Sequence, residues 1–391
     1  MAMQYKLLHA KEDRPAHRKG GRQGVDIPFL VLILLLLAVG LSMLYSASYA
    51  QSEYDTGYTS STRYLQKQGV CALVGLAAMF FFSRLPAKIW SKLAWPIYGA
   101  SIVLLLGVLA FGESVNGAKR WINIAGIQFQ PSEIAKFSMI VLLARLTKTY
   151  GEDAAVFRYG VMGFGCAMLG LLVPLALEKH LSAIMLMGMV GVVMMYIAGT
   201  SPKWLAAGAA AAAVFVLIYI SFMGYAGDRV MAWLHPEQDP SDTGYQILQS
   251  LYAIGSGGLF GLGFGRSRQK YLYLPFQYND YIFAIICEEL GLVGALLIIA
   301  LFSVTIARGY WIALRARDRF STVLAAGLIT LIAVQAILNL AVVTNLLPST
   351  GIALPFFSYG GTALAVNLGE MGILLSISRH RNEPKIQEEL Q

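Results

Sequence analysis

Charge is scarce in this chain. Asp, Glu, Lys and Arg make up 13% of 391 residues, hydrophobic residues make up 57%, and the mean hydropathy is +0.60. A soluble domain of this size would be short of polar surface, so the composition points to a polytopic helical membrane protein. Cysteine is also rare: Cys71, Cys166 and Cys287 each sit inside an apolar run without metal-ligand spacing, which argues against a zinc site or a disulfide framework. No G-x-x-x-x-G-K-[ST], H-E-x-x-H, C-x-x-C or G-x-S-x-G run occurs, which removes the usual sequence support for soluble nucleotide or metalloprotease chemistry. The N-terminus does not read as a cleavable signal, because its basic tail is long and the apolar run that follows is long enough to span. There is no repeat of 20–50 residues, and the alanine run at 206–213 belongs to an expected helix.

Apolar runs are what the chain has in abundance. They predict an all-α polytopic membrane protein with about ten transmembrane helices, roughly 27–47, 69–83, 93–112, 133–147, 159–176, 181–198, 204–223, 280–306, 320–344 and 361–378. With the N-terminus inside, the cytoplasmic segments hold 20 Lys and Arg and the outer segments nine, so both termini are expected in the cytoplasm. The net charge of +8 then reflects topology and contact with membrane lipids; no basic folded domain suggests nucleic acid as a partner. The expected organisation is a disordered tail at 1–24, a single membrane domain at 25–380 with a large extracytoplasmic loop at 224–279 between helices 7 and 8, and a second tail at 381–391. Within that loop, 246–265 reads as a short amphipathic helix that ends in glycines and lies on the outer membrane surface.

Four polar clusters gather on the expected outer side. The first holds Lys119, Arg120 and Trp121, then Gln130, Pro131, Ser132, Glu133 and Lys136; Pro131 suits a helix start, and Glu133 and Lys136 can pair at i,i+3. Cations on a translocated loop are disfavoured unless something anionic holds them, which favours an anionic substrate over plain solvation. The second is Glu178–Ser182, at the break between two spans, where a local ion pair is the simpler reading of Glu178, Lys179 and His180. The third is Arg266, Arg268, Gln269 and Lys270, leading to Asp280 at the entrance of an apolar helix. Three cations before one acid suit a pyrophosphate with a carboxylate beside it, although a helix N-cap would also account for Asp280. Glu288 lies about 80° around an ideal helix from Asp280 and about 12 Å deeper, whereas Glu289 lies about 180° around. Glu288 is therefore expected to share the face of Asp280. The fourth is the proline- and glycine-rich run 345–361, with Ser349, Thr350, Ser358 and Tyr359, a non-helical loop that must be buried or line a wet cavity.

The runs KRWINIAGIQFQPSEIAK (119–136), SRQKYLYLPFQYNDYIFAIICEELG (267–291) and LPSTGIALPFFSYGG (347–361) resemble signature segments of the SEDS proteins, the FtsW/RodA group. The resemblance covers about 25–380 and is closer to the division and sporulation branch than to the elongation branch. It departs at Glu178–Ser182, where a Q-P-D-L-G-T-like run would stand. The resemblance implies a peptidoglycan glycosyltransferase that polymerises lipid II at the outer face of the bacterial cytoplasmic membrane. It implies a class B penicillin-binding transpeptidase and other divisome or elongation proteins as partners. Asp280 matches the family's essential acid, as general base or as ligand of a divalent cation, magnesium or manganese; no organic cofactor is implied. Lys119, Arg120, Arg268 and Lys270 are the candidates for the substrate's phosphates. A lipid II flippase or transporter is the competing reading, since it would share the lipid-sized groove and the broken helices.

Overall fold

The computed structural model describes residues 24–115, 118–124, 127–208, 210, 230–238 and 243–379. The two tails, Arg229 and most of the expected span at 204–223 lie outside the described residues. The fold is a helical bundle: α1 (Ile27–Asp55), α2 (Arg63–Phe82), α3 (Lys88–Phe111), α4 (Pro131–Tyr150), α5 (Phe164–Leu177), α6 (Leu181–Ala198), α7 (Thr243–Gly257), α8 (Ile282–Leu314), α9 (Arg319–Val343) and α10 (Gly361–Ser378). Eight helices among the described residues are long and apolar enough to cross a membrane, counting α5 together with the π-helical turn before it. The protein is thus a multi-pass membrane protein. Several helices outrun the hydropathy edges, such as α2 and α8, because Lys and Arg at a helix end can snorkel while the backbone stays helical.

The central helix is α4, the most polar of the long helices and nearly all buried. It packs against α3, α6 and α9, so its polar residues meet protein in place of lipid. The segment before it, expected as a plain loop, forms a three-stranded antiparallel meander: β1 (Glu113–Val115), β2 (Ala118–Ile124) and β3 (Ile127–Phe129), with Glu113 opposite Trp121 and Ile122 opposite Phe129. The tightest helix pair is α2 with α10, where Gly372 lies against the backbone of Met79; a side chain there would force the helices apart. At the end of the bundle remote from the sheet, Asp26 caps α1 through the amide of Phe29 (3.1 Å) and pairs with Arg308 of α8 (2.9 Å).

Near its start α8 is broken. Gly291 adopts φ 65° and ψ −168°, outside helical geometry. A break inside an apolar bundle strands backbone groups that water cannot reach. The glycine-rich turn after α7 satisfies them: Leu262 N donates to Glu288 O (2.9 Å), Gly263 N to Glu289 O (3.0 Å), Leu292 N to Gly258 O (2.9 Å) and Val293 N to Leu259 O (3.1 Å). Two side chains just before the break hold the loop that precedes α8. Glu288 accepts from the Ser267 hydroxyl and from the amides of Arg268 (2.9 Å) and Gln269 (3.3 Å). Glu289 pairs with Lys270 at 3.0 Å and accepts from Ser46 Oγ at 2.7 and 2.8 Å, all three residues buried.

Removing one member of such a buried pair leaves the other charge uncompensated, at a cost of about 3–5 kcal/mol. Lys270→Met or Glu289→Gln alone should therefore lower the thermal unfolding midpoint in detergent markedly, and the double replacement Lys270→Met/Glu289→Leu should recover part of the loss. Single variants as stable as the parent would contradict the pairing.

Candidate functional site

The roof of the site is the loop 344–360, stitched down on both flanks. On one flank, Asn339 Nδ2 of α9 donates to Asp280 O (2.7 Å) and to Ile352 O (2.8 Å), tying the acid's backbone to the loop. Ser358 Oγ donates to Asn279 O (2.7 Å) and accepts from Leu354 N (2.8 Å), and Tyr359 N donates to Tyr278 O (2.9 Å). On the other flank, the amide of Gln68 in α2 clamps the two peptides flanking Tyr359: Nε2 donates to Ser358 O (3.2 Å) and Oε1 accepts from Gly360 N (3.1 Å). The Ser182 hydroxyl at the start of α6 donates to Thr350 O, and Thr362 Oγ1 to Gln128 O (2.9 Å) of the sheet.

Beneath this roof is a cavity of about 1110 Å³. It gathers Asp280 with Arg120, Trp121, Gln130, Ser132, Glu133, Lys136, Ser349, Thr350, Ser358 and Tyr359, so three of the four clusters read from the sequence meet in one space. Asp280 is half-buried in its wall. Gly351, at φ 68°, lies opposite; a Cβ there would sit 3.2 Å from Asp280 Oδ2, so glycine keeps the approach to the carboxylate open. Five cations line the cavity, Arg63, Lys67, Arg120, Lys136 and Lys179, against the three carboxylates of Asp55, Glu133 and Asp280. Glu133 and Lys136 pair at 2.7 Å, as their spacing suggested, and Arg63, Lys67, Arg120 and Lys179 add further positive charge to the same wall. Deeper in the same space, Ser132 Oγ, Gln335 Oε1 and Asn367 Oδ1 are buried with no hydrogen-bond partner among the described residues, leaving polar atoms to meet a polar guest or water.

Five sequence-predicted residues lie elsewhere. Lys119 is exposed, its ammonium 3.5 Å from Leu109 O, and it does not line the cavity although its neighbour Arg120 does. Arg268 and Gln269 line a separate concavity, and Lys270 is buried in the pair with Glu289. Glu288 does not share the space of Asp280; it holds the 267–269 loop, because Asp280 stands in a non-helical turn before α8 begins and the ideal-helix phase does not extend back to it. Ser358 lines the cavity, but its hydroxyl is spent on the roof.

Sequence reasoning missed Asp55, Arg63, Tyr64, Lys67, Tyr278, Gln335 and Asn367 as cavity residues. Arg63 and Lys67, four apart at a helix start, had been counted only as loop charge. Gln335 and Asn367 were legible as polar residues inside apolar runs. Tyr64, Tyr278 and Tyr359 form an aromatic cluster with ring centroids 4.5–5.9 Å apart, brought from three distant segments.

The second sequence cluster also reaches the cavity, through Lys179, His180 and Ser182. Arg120 donates to Lys179 O, which binds the sheet to this break between α5 and α6. Burial drives the imidazole of His180 down to about 3, with Arg120 and Lys136 adding to the effect, so it is neutral at ordinary pH. Burial lifts Glu178 to about 7 against the pull of Arg120. Among the described residues no three His, Cys, Asp or Glu side chains cluster as a metal site. A divalent cation at Asp280 would therefore take its remaining ligands from phosphate and water, a set that magnesium accepts.

Because its carboxyl holds a proton more tightly in the fold than the usual 4.5, Glu178 contributes a stability that falls as pH rises through the window from 4.5 to about 7. Glu178→Gln should match the parent at low pH and become the more stable protein by pH 8, as read from unfolding midpoints across pH. A difference that is constant with pH would refute this.

Comparison with known proteins places these features in a family. A family model covering FtsW, RodA and SpoVE, described as cell cycle protein, matches residues 27–383. A probable peptidoglycan glycosyltransferase FtsW of Geobacter metallireducens is 37% identical over 90% of this chain and 94% of its own length. Stage V sporulation protein E of Bacillus subtilis is 39% identical over 91% of this chain and 97% of its own. A solved structure described as "Structural coordination of polymerization and crosslinking by a peptidoglycan synthase complex" superposes with a TM-score of 0.78 at 27% identity, covering 92% of this chain and 99% of that one.

Proposed function

The chain belongs to the FtsW/RodA/SpoVE family of cell cycle proteins, and on that premise we propose that it is a peptidoglycan glycosyltransferase with Asp280 at its reacting centre. The observation that carries the assignment is the pairing in one cavity of an accessible carboxylate with an excess of cations. Glycan polymerisation from a lipid-linked disaccharide needs both. A sugar 4-hydroxyl must lose its proton as its oxygen bonds to the anomeric carbon of the donor, and the bond from that carbon to the pyrophosphate oxygen must break.

Asp280 takes the proton from the 4-hydroxyl. Arg120, Lys179, Arg63 and Lys67 face the same space and stabilise the charge that builds on the departing pyrophosphate. Lys136, already paired with Glu133, adds field more than a free donor. Tyr64, Tyr278 and Tyr359 give the sugar rings an apolar, hydroxyl-bearing wall. A divalent cation, magnesium or manganese, held by Asp280 and the phosphates would supply further charge stabilisation. The substrate this favours is lipid II, with its undecaprenyl chain in the apolar bundle. The distribution of Lys and Arg supports a cavity that opens on the outer face of the cytoplasmic membrane, with both termini inside. The likeness to a peptidoglycan synthase complex supports a class B penicillin-binding transpeptidase as partner.

Asp280→Asn should lower lipid II polymerisation by purified protein by about 10²-fold or more, the usual contribution of a general base, while its unfolding midpoint in detergent stays near that of the parent. Glycan strands of near-normal length and yield from this variant would sink the assignment. Lipid II translocation in liposomes with no polymer formed would favour the flippase reading instead.

A further inference from the structure

The loop 263–273 lies outside the Asp280 cavity, yet it is among the most firmly built segments of the protein. Gly265, Arg266, Ser267, Arg268, Gln269, Tyr271 and Tyr273 line a second concavity of about 630 Å³. Two buried carboxylates, Glu288 and Glu289, hold its backbone through Ser267, Arg268, Gln269 and Lys270. Ionisable groups buried in an apolar bundle are costly. Here their effect is to fix the position of two side chains that none of those bonds uses. Arg266 and Arg268 are exposed, and neither guanidinium has an ion pair or hydrogen bond among the described residues.

We infer that this concavity binds the phosphate headgroup of an anionic phospholipid in the leaflet on the Asp280 side of the membrane. Three features agree on this ligand. Arg266 and Arg268 are two apart on one rigid loop, and guanidinium forks suit phosphate oxygens geometrically as well as by charge. The rim is apolar and aromatic: Leu259 is 62% and Phe260 80% exposed, with Phe264, Tyr271 and Tyr273 also exposed. Arginines beside exposed aromatic rings mark the boundary between headgroups and acyl chains, where a lipid presents phosphate and hydrocarbon together. Free phosphate would use the arginines and leave the rim bare. The loop is also fixed beforehand by Glu288 and Glu289, which reduces the ordering cost of binding. The turn after α7 that carries Leu259 and Phe260 is hydrogen-bonded to the break in α8, inside a helix long and apolar enough to span a membrane.

The test is native mass spectrometry of the full-length chain in detergent, titrated with phosphatidylglycerol and with phosphatidylcholine of the same acyl chains. Phosphatidylglycerol should bind more tightly than phosphatidylcholine. The double variant Arg266→Gln/Arg268→Gln, with an unfolding midpoint like that of the parent, should lose about ten-fold or more in phosphatidylglycerol affinity. Lys92→Gln, which removes an exposed cation at the start of α3, should lose none. Equal binding of the two lipids, or unchanged affinity in the double variant, would overturn the inference. Displacement of the lipid by inorganic phosphate at matched concentration would reduce the site to a simple anion site and overturn it as well. If the double variant instead loses capture of a transpeptidase partner while lipid binding stands, the surface is a protein contact and the lipid assignment fails.

Discussion

The carboxamide of Asn339 carries the geometry of the site. It sits in α9, among apolar helices, and its two hydrogens go to Asp280 O and Ile352 O at 2.7 and 2.8 Å. A buried amide is tolerated only where its hydrogens are used, and here one side chain ties the Asp280 segment to the loop that covers it. Ser358 and the peptide of Tyr359 repeat the tie at Asn279 and Tyr278. With three consecutive residues of the acid's segment fixed to the roof, the Asp280 carboxylate can face an open cavity without a helix to support it.

The acids of the 280–289 run divide by surroundings. Asp280 stands before α8 begins, at the wall of a cavity lined by five cations. Glu288 and Glu289 stand two turns inside, where no water reaches, and each is saturated by protein donors. The first can exchange protons with a guest; the other two hold the loop 263–271 against the break at Gly291. A related division holds among the cations. Lys270 and Lys136 are consumed by buried pairs, whereas Arg120, Arg63 and Lys67 face the cavity. In a low-dielectric bundle, partners decide what a charge is for, more than sequence neighbourhood does.

This explains what the sequence made legible. The membrane class and most of the described helices were readable because long apolar runs have few other uses. The expected span at 133–147, by contrast, falls on α4, which is too polar to stand among the eight helices apolar enough to cross a membrane. The clusters at 119–136 and 345–361 stood out because each is a dense polar anomaly in an apolar chain, and both reach the cavity that Asp280 lines. The third cluster misled in part: Arg268, Gln269 and Lys270 are close to Asp280 in sequence, but the turn after α7 folds back onto α8 and turns them to another surface. Glu288 misled for a related reason, since helical phase holds only within a helix and α8 begins at Ile282, after Asp280. The sheet before α4 was hidden by its short strands, and the tyrosine cluster by sequence separations that no local pattern reports.

The most direct measurement is a structure of the full-length chain with a non-reactive lipid-linked disaccharide pyrophosphate. The account predicts the pyrophosphate among Arg120, Lys179 and Arg63, with the reacting sugar 4-hydroxyl within hydrogen-bond distance of the Asp280 carboxylate. The disaccharide pyrophosphate seated at the Arg266–Arg268 loop, or anywhere outside the cavity that holds Asp280, would contradict it.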